Sequence, residues 1–164
     1  MDPELQTFKE RYTAAWNGRE INTMPELLAE DIVWVDPALP VPALGVAAVQ
    51  EFMRASFETF PDLYFTEPDP PHFIASGDLV AWGWRMEGTM TGDSDPPGFA
   101  ATGRKMRVDG VDLWTMRDGK IYRYHAFYDL MDLARQLGIM PPTGSRAERA
   151  MVALQRLQSR LIRR

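Results

Sequence analysis

The sequence predicts an α+β domain: helices at the front of the chain, packed on one face of a curved antiparallel sheet drawn mostly from its second half. Three observations carry this. Apolar residues recur at helical spacing over 3–16 and 46–60. Over 79–90 and again over 105–128 they alternate with period two. Between two alternating runs stands Asp118-Gly119, the strongest two-residue hairpin signal a sequence offers. Helices first and a run of strands afterwards gives segregated layers.

The elements follow in order. Asp2 is placed as helix N-cap with Pro3 at the first helical position, and Leu5, Phe8, Tyr12, Ala15 and Trp16 form the buried stripe. Asn17-Gly18 ends that helix. Thr23 and Glu26 have capping-box spacing for a short second helix. A strand at 31–36 puts Ile32, Trp34 and Asp36 on one face before Pro37 stops it, and 38–45 is a turn-rich connector. A third helix ends before Pro61. Short strands at 63–66 and 72–75 flank a proline-rich break. The strand at 79–90 has Trp82, Trp84, Met86 and Met90 on one face. A loop at 91–103 precedes the hairpin of 105–117 and 120–128. Asp129 opens a short helix, and Ser145 with Glu148 caps a last one. The chain thus divides into one domain, 1–140, and an amphipathic basic helix, 141–164.

Composition narrows the function. With 164 residues, 45% hydrophobic and 25% charged, the chain suits a single core. No run of about 18 apolar residues occurs, and the acidic start lacks a signal-peptide core, so a cytoplasmic protein without membrane contact is expected. Six Arg against one acid make 145–164 basic, while the remainder carries a net charge of −10 and repels nucleic acid. Zero cysteines exclude disulfides and thiolate chemistry. Two histidines without ligand spacing, and no phosphate-cradling glycine loop, leave metals and cofactors unsupported.

Three polar residues interrupt apolar faces. Asp112 stands among Val108, Gly110, Trp114 and Met116. Lost solvation raises its pKa, so it either donates a proton to a developing oxyanion or pairs across the sheet. Tyr12 is either a second donor or a core phenol satisfied by backbone. Asp36 is either a general base beside an apolar pocket or a turn cap before Pro37.

The strings Arg11-Tyr12-Thr13-Ala14-Ala15-Trp16-Asn17, Val35-Asp36-Pro37 and Val111-Asp112-Leu113-Trp114 resemble the ketosteroid isomerase branch of the NTF2-like superfamily over roughly residues 5–129. That resemblance implies a cone-shaped fold with an apolar pocket and a homodimer. It also implies Tyr12 and protonated Asp112 as oxyanion hole and Asp36 as the base that moves a proton between carbons. The C-terminal strings Asp118-Gly119-Lys120-Ile121 and 129–138 resemble the SnoaL-like polyketide cyclases, in which the position matching Asp129 is the acid/base of an aldol ring closure. His125, on the strand face of Asp129, is then a proton shuttle, while Asp129 is equally placed to cap the following helix. A limonene epoxide hydrolase pattern fits less well: Arg107 and Asp109 face away from Asp112, and Ala126 stands where its second Asp belongs.

The expected enzyme enolises a hydrophobic carbonyl compound and either isomerises it or closes a ring. A non-catalytic binding pocket is the remaining reading. Trp34, Trp82, Trp84, Trp114 and Phe127 are the expected wall residues. The apolar stripe of the last helix, Ala147, Met151, Leu154, Leu157 and Leu161, is expected to dock on the acidic body or on a partner subunit.

Overall fold

The computed structural model describes residues 3–95 and 97–162. Helix α1 (Pro3–Asn17) and helix α3 (Val46–Thr59) pack on the inner face of a seven-stranded sheet. The strands are β1 (Leu28–Val35), β2 (Ala43–Leu44), β3 (Tyr64–Thr66), β4 (Phe73–Ser76), β5 (Leu79–Thr89), β6 (Lys105–Arg117) and β7 (Lys120–Tyr128). Their order is β2-β1-β7-β6-β5-β3, with β4 also on β5. The α+β layering is as the sequence predicts, with one difference in direction. β1 runs parallel to β7, Val35 beside His125, so the sheet is mixed. All other pairs are antiparallel. The chain between β1 and β7 is long enough to bring β7 back in the same sense, which no hairpin permits.

The predicted hairpin joins β6 to β7, and Asp118 and Gly119 both take positive φ, 52° and 74°, as its tight turn requires. The core lies between α1, α3 and the inner face. Trp34, Trp82 and Trp114 are among its largest fully buried side chains. Tyr12, Ala15 and Trp16 of α1 join them. So does Lys9, whose ammonium meets Glu67 and lies 5.4 Å over the Phe73 ring. Such burial is tolerable only with partners of this kind.

The expected N-cap Asp2 lies outside the described residues. Some local expectations fail. The Thr23 hydroxyl donates to the Glu20 carbonyl and caps nothing, because a 3-10 turn, Ile21–Thr23, leads directly into a single-turn α2 (Met24–Leu27) with Pro25 near its start. The 38–45 connector contains β2, which the prolines disguise. The 91–103 loop is tied to the end of α3: Gly92 N donates to the Thr59 carbonyl and Thr59 Oγ1 to the Asp93 carbonyl.

Helix α4 (Leu130–Gln136) packs against β6, and its Gln136 brackets Arg107 by bonding both its N–H and its carbonyl. Helix α5 (Arg146–Ile162) starts at Ser145, whose Oγ accepts from Glu148 N. Apart from Glu148 of its first turn, which meets Arg135 of α4, its described residues do not dock on their own body. Leu154, Leu157 and Leu161 are all more than half exposed, and no α5 arginine forms an ion pair among the described residues. No helix among the described residues is long and apolar enough to cross a membrane.

Candidate active site

A cavity of about 100 Å³ opens between α1, α3 and the inner face of β1, β5, β6 and β7. That exceeds the roughly 10–15 Å³ that one water needs, so it is a ligand space rather than a packing defect. Its wall is aromatic, with Trp16, Trp34, Trp82, Trp84, Phe52 and Phe65 prominent. Among its few polar groups are Tyr12, Asp36 and Asp112. The fold therefore brings together the three residues that the sequence singles out.

Asp112 lies deep in β6, 2% exposed. Trp84 donates its indole N–H to Asp112 Oδ1 at 2.6 Å, and Tyr124 donates its hydroxyl to the same oxygen at 2.7 Å. Burial dominates its titration and pushes its pKa up to about 7; the Tyr124 and Trp84 donors and the nearby Trp114 indole oppose the shift, and the charge of Asp36 adds to it. Because both hydrogen bonds end on Oδ1, Oδ2 is the atom left to carry a proton.

Asp36 sits just past the end of β1 and lines the cavity. Tyr128 O–H and Ala38 N–H both donate to its Oδ1, each at 2.8 Å. Burial raises its pKa above the usual carboxylate range, against these two bonds and the field of His125. The carboxyl thus caps the turn and faces the cavity at once, which joins the two readings of Asp36. Here too both recorded bonds use Oδ1.

Tyr12 is buried edge-on against Trp82 and Trp114, with ring centroids 6.0 and 5.0 Å away. Burial first, and then the Asp112 charge, drives its pKa far up, with the neighbouring Trp16 and Tyr124 groups opposing. Its hydroxyl stays protonated and remains a donor.

Four expected residues are elsewhere. Phe127, His125 and Asp129 share a strand face, but it is the outer one. Phe127 is 49% exposed and stacks on His125, and the Asp129 carboxylate accepts from Asp132 N as the cap of α4. None of the three lines the cavity. Trp114 is fully buried behind Tyr12, so it backs the wall without forming it. Arg107 and Asp109 are on the outer face, paired with Glu87 and Arg85. Ala126, buried opposite Asp112, leaves room between Tyr124 and Tyr128.

Sequence reasoning missed those two tyrosines. Over 124–128 they share the inward side of β7 with Ala126, and the signal was present there as alternation; nearer the hairpin a register shift turns Ile121 inward instead. Aromatic residues on both sides of the strand concealed which face was which. Among the described residues, no group of three or more His, Asp or Glu side chains is placed to hold a metal ion.

The sequence profile of the SnoaL-like polyketide cyclases matches residues 6–137, four-fifths of the chain and the whole of the cavity. The chain belongs to that family. Solved structures agree on the fold of this SnoaL-like protein. TsrD from Streptomyces laurentii is 24% identical with a TM-score of 0.72, over 85% of this chain and 99% of that one. A SnoaL-like protein from Jannaschia sp. CCS1 is 20% identical with a TM-score of 0.73, over 86% and 98%. A protein of ketosteroid isomerase-like fold from Catenulispora acidiphila, in complex with trimethylamine, is 21% identical with a TM-score of 0.67, over 87% and 100%. Among curated proteins, none matches the chain.

Proposed function

We propose that this protein closes a ring in a hydrophobic, polyketide-like carbonyl compound by intramolecular aldol addition. The observation that carries the reading is the pair of carboxyls in one apolar cavity, each held through Oδ1 and each with Oδ2 to spare. Asp36 takes a proton from the carbon next to a carbonyl. The enolate oxygen accepts hydrogen bonds from neutral Asp112 and from Tyr12. The enolate carbon adds to a second carbonyl of the same molecule, and the new alkoxide takes back the proton from Asp36. Atoms balance with no further reactant. Preorganised donors of this kind contribute about 3–4 kcal/mol each to such a transition state. Family membership supports the ring closure.

The same first step serves a second reading, isomerisation, in which Asp36 returns the proton to another carbon. The grouping of Tyr12, Asp36 and Asp112 around one cavity favours that reading, since it matches the ketosteroid isomerase resemblance. In either case the protein is taken to act as a cytoplasmic homodimer on a hydrophobic small molecule.

The test is exchange of α-hydrogens of a hydrophobic cyclic ketone for solvent deuterium, followed by NMR. Asp36→Asn should abolish exchange while binding of a naphthol, read by tryptophan quenching, survives. Tyr12→Phe and Asp112→Ala should weaken naphthol binding. Full exchange by Asp36→Asn, or loss on Asp129→Asn with Tyr12→Phe unaffected, removes this mechanism.

A further inference from the structure

Among the described residues, two apolar surfaces lie exposed. The first is the stripe of α5. At 100° per residue Ala147, Ala150, Leu154, Leu157 and Leu161 fall on one side of the helix, and Arg149 and Arg156 on the other. Leu157 is 55% and Leu161 66% exposed. Most helical stability in proteins comes from packing an apolar face, and none of the described residues of α5 is buried.

The second is a band across the outer face of the sheet. Ile74, Leu79, Val111, Leu113 and Phe127 are each between 38% and 70% exposed. Register makes them continuous: Ile74 is opposite Ala81, Ala81 opposite Leu113, and Val111 opposite Phe127. A band of this kind marks an interaction site.

We propose that α5 lies with its stripe on the outer sheet band of a second copy of this chain, each copy lending its helix to the other. Charge selects this occupant. The six arginines of 145–164 belong to a chain whose remainder carries −10, so another copy attracts the helix, whereas a membrane or nucleic acid of negative charge is repelled by the attached body. Arg146 and Arg160 border the stripe, and the exposed Asp78 and Asp129 stand at the ends of the band, beside Leu79 and beyond Phe127. Area points the same way. The helix is about 26 Å long at 1.5 Å per residue. One strip of that length and roughly 10 Å wide buries about 260 Å² on each partner, and reciprocal exchange doubles this to about 520 Å², nearer the ~800 Å² per partner of a standard interface. Reciprocal exchange covers two helices and two bands under one twofold axis.

The full chain should sediment at twice 18.7 kDa. Leu154→Asp with Leu157→Asp, and separately Leu113→Asp with Phe127→Asp, should each halve that mass. All four side chains are exposed in the single chain, so thermal unfolding of the monomers should stay cooperative. The chain has no cysteine, so introduced thiols report cleanly. Leu113→Cys together with Leu157→Cys should oxidise to a covalent dimer, and neither alone should. The proposal is overturned by a monomeric wild type, by a dimer that survives Leu154→Asp with Leu157→Asp, or by cross-linking through Leu157→Cys alone. A monomer that binds phosphatidylglycerol vesicles through α5 would assign the stripe to a membrane instead.

Discussion

The Trp84 indole occupies the space that a side chain at Gly110 would fill. A Cβ at Gly110 would fall 2.3 Å from the indole ring, closer than any side chain permits. The absent side chain at 110 is therefore what lets Trp84 reach along the sheet to Asp112. Gly110→Ala should push the indole away and remove one of the two donors on Asp112 Oδ1. Overpacking of this kind costs about 1–3 kcal/mol, readable in thermal unfolding. The carboxyl, losing a bond that favours its charged form, should titrate above its present value, visible in the pH profile of naphthol binding.

Asp112 also makes stability depend on pH. Its carboxyl binds a proton more tightly in the folded chain, about 7 against 3.8 unfolded. Between those values the folded state holds more protons, so stability is full below about pH 4 as far as this group is concerned and falls as pH rises towards 7. Three units at 1.36 kcal/mol each give a loss of about 4 kcal/mol. Asp112→Asn imitates the protonated form. It should be more stable than the wild type at pH 8, with the difference closing towards pH 4, by urea denaturation at each pH. A flat difference would mean that Asp112 is ionised throughout.

Tyr128 holds the proposed base, Asp36, by a hydrogen bond. Its hydroxyl bond holds the raised pKa of Asp36 partly down. Tyr128→Phe removes that bond, so Asp36 should need a higher pH to ionise, and the acid limb of α-hydrogen exchange should move upward. One hydrogen bond to a charged group contributes about 1.5–3 kcal/mol, so the acid limb should move up by about 1–2 pH units while exchange recovers at high pH. A uniform loss at every pH would assign Tyr128 to packing alone.

Asp129 serves as a test by contrast. As the N-cap of α4 it stabilises that helix, and Asp129→Ala should cost about 1 kcal/mol. Naphthol affinity and deuterium exchange should hold.

The sequence carried the site unevenly. Asp112 was legible because a carboxylate stands out in the alternation of Val108, Gly110, Trp114 and Met116, where burial decides its chemistry. Tyr12 and Asp36 were legible as polar residues on otherwise apolar faces. β7 was not: Tyr124 and Tyr128 alternate with His125 and Phe127, both sets aromatic, and only pairing with β6 and β1 decides which set looks inward. The contact of Trp84 with Asp112 passes over Gly110 through space, and no local pattern announces it. Nor does any local pattern reveal that β1 and β7 run in the same direction, because strand direction belongs to the partner and not to the strand.

That shared direction governs when the site comes into being. Asp36 and Tyr128 lie 92 residues apart in the chain and meet only because β1 and β7 end at the same edge. Closing so long a loop is slow, and nothing rewards it until β5 and β6 are in place to receive β7. During synthesis from the N-terminus the proposed base is therefore made early, with only the local Ala38 N–H to hold it, and its phenol partner arrives among the last residues of the sheet. A chain that stalls or folds incompletely has an Asp36 without Tyr128 and an Asp112 without Tyr124, so the proposed chemistry is withheld until the whole domain has closed.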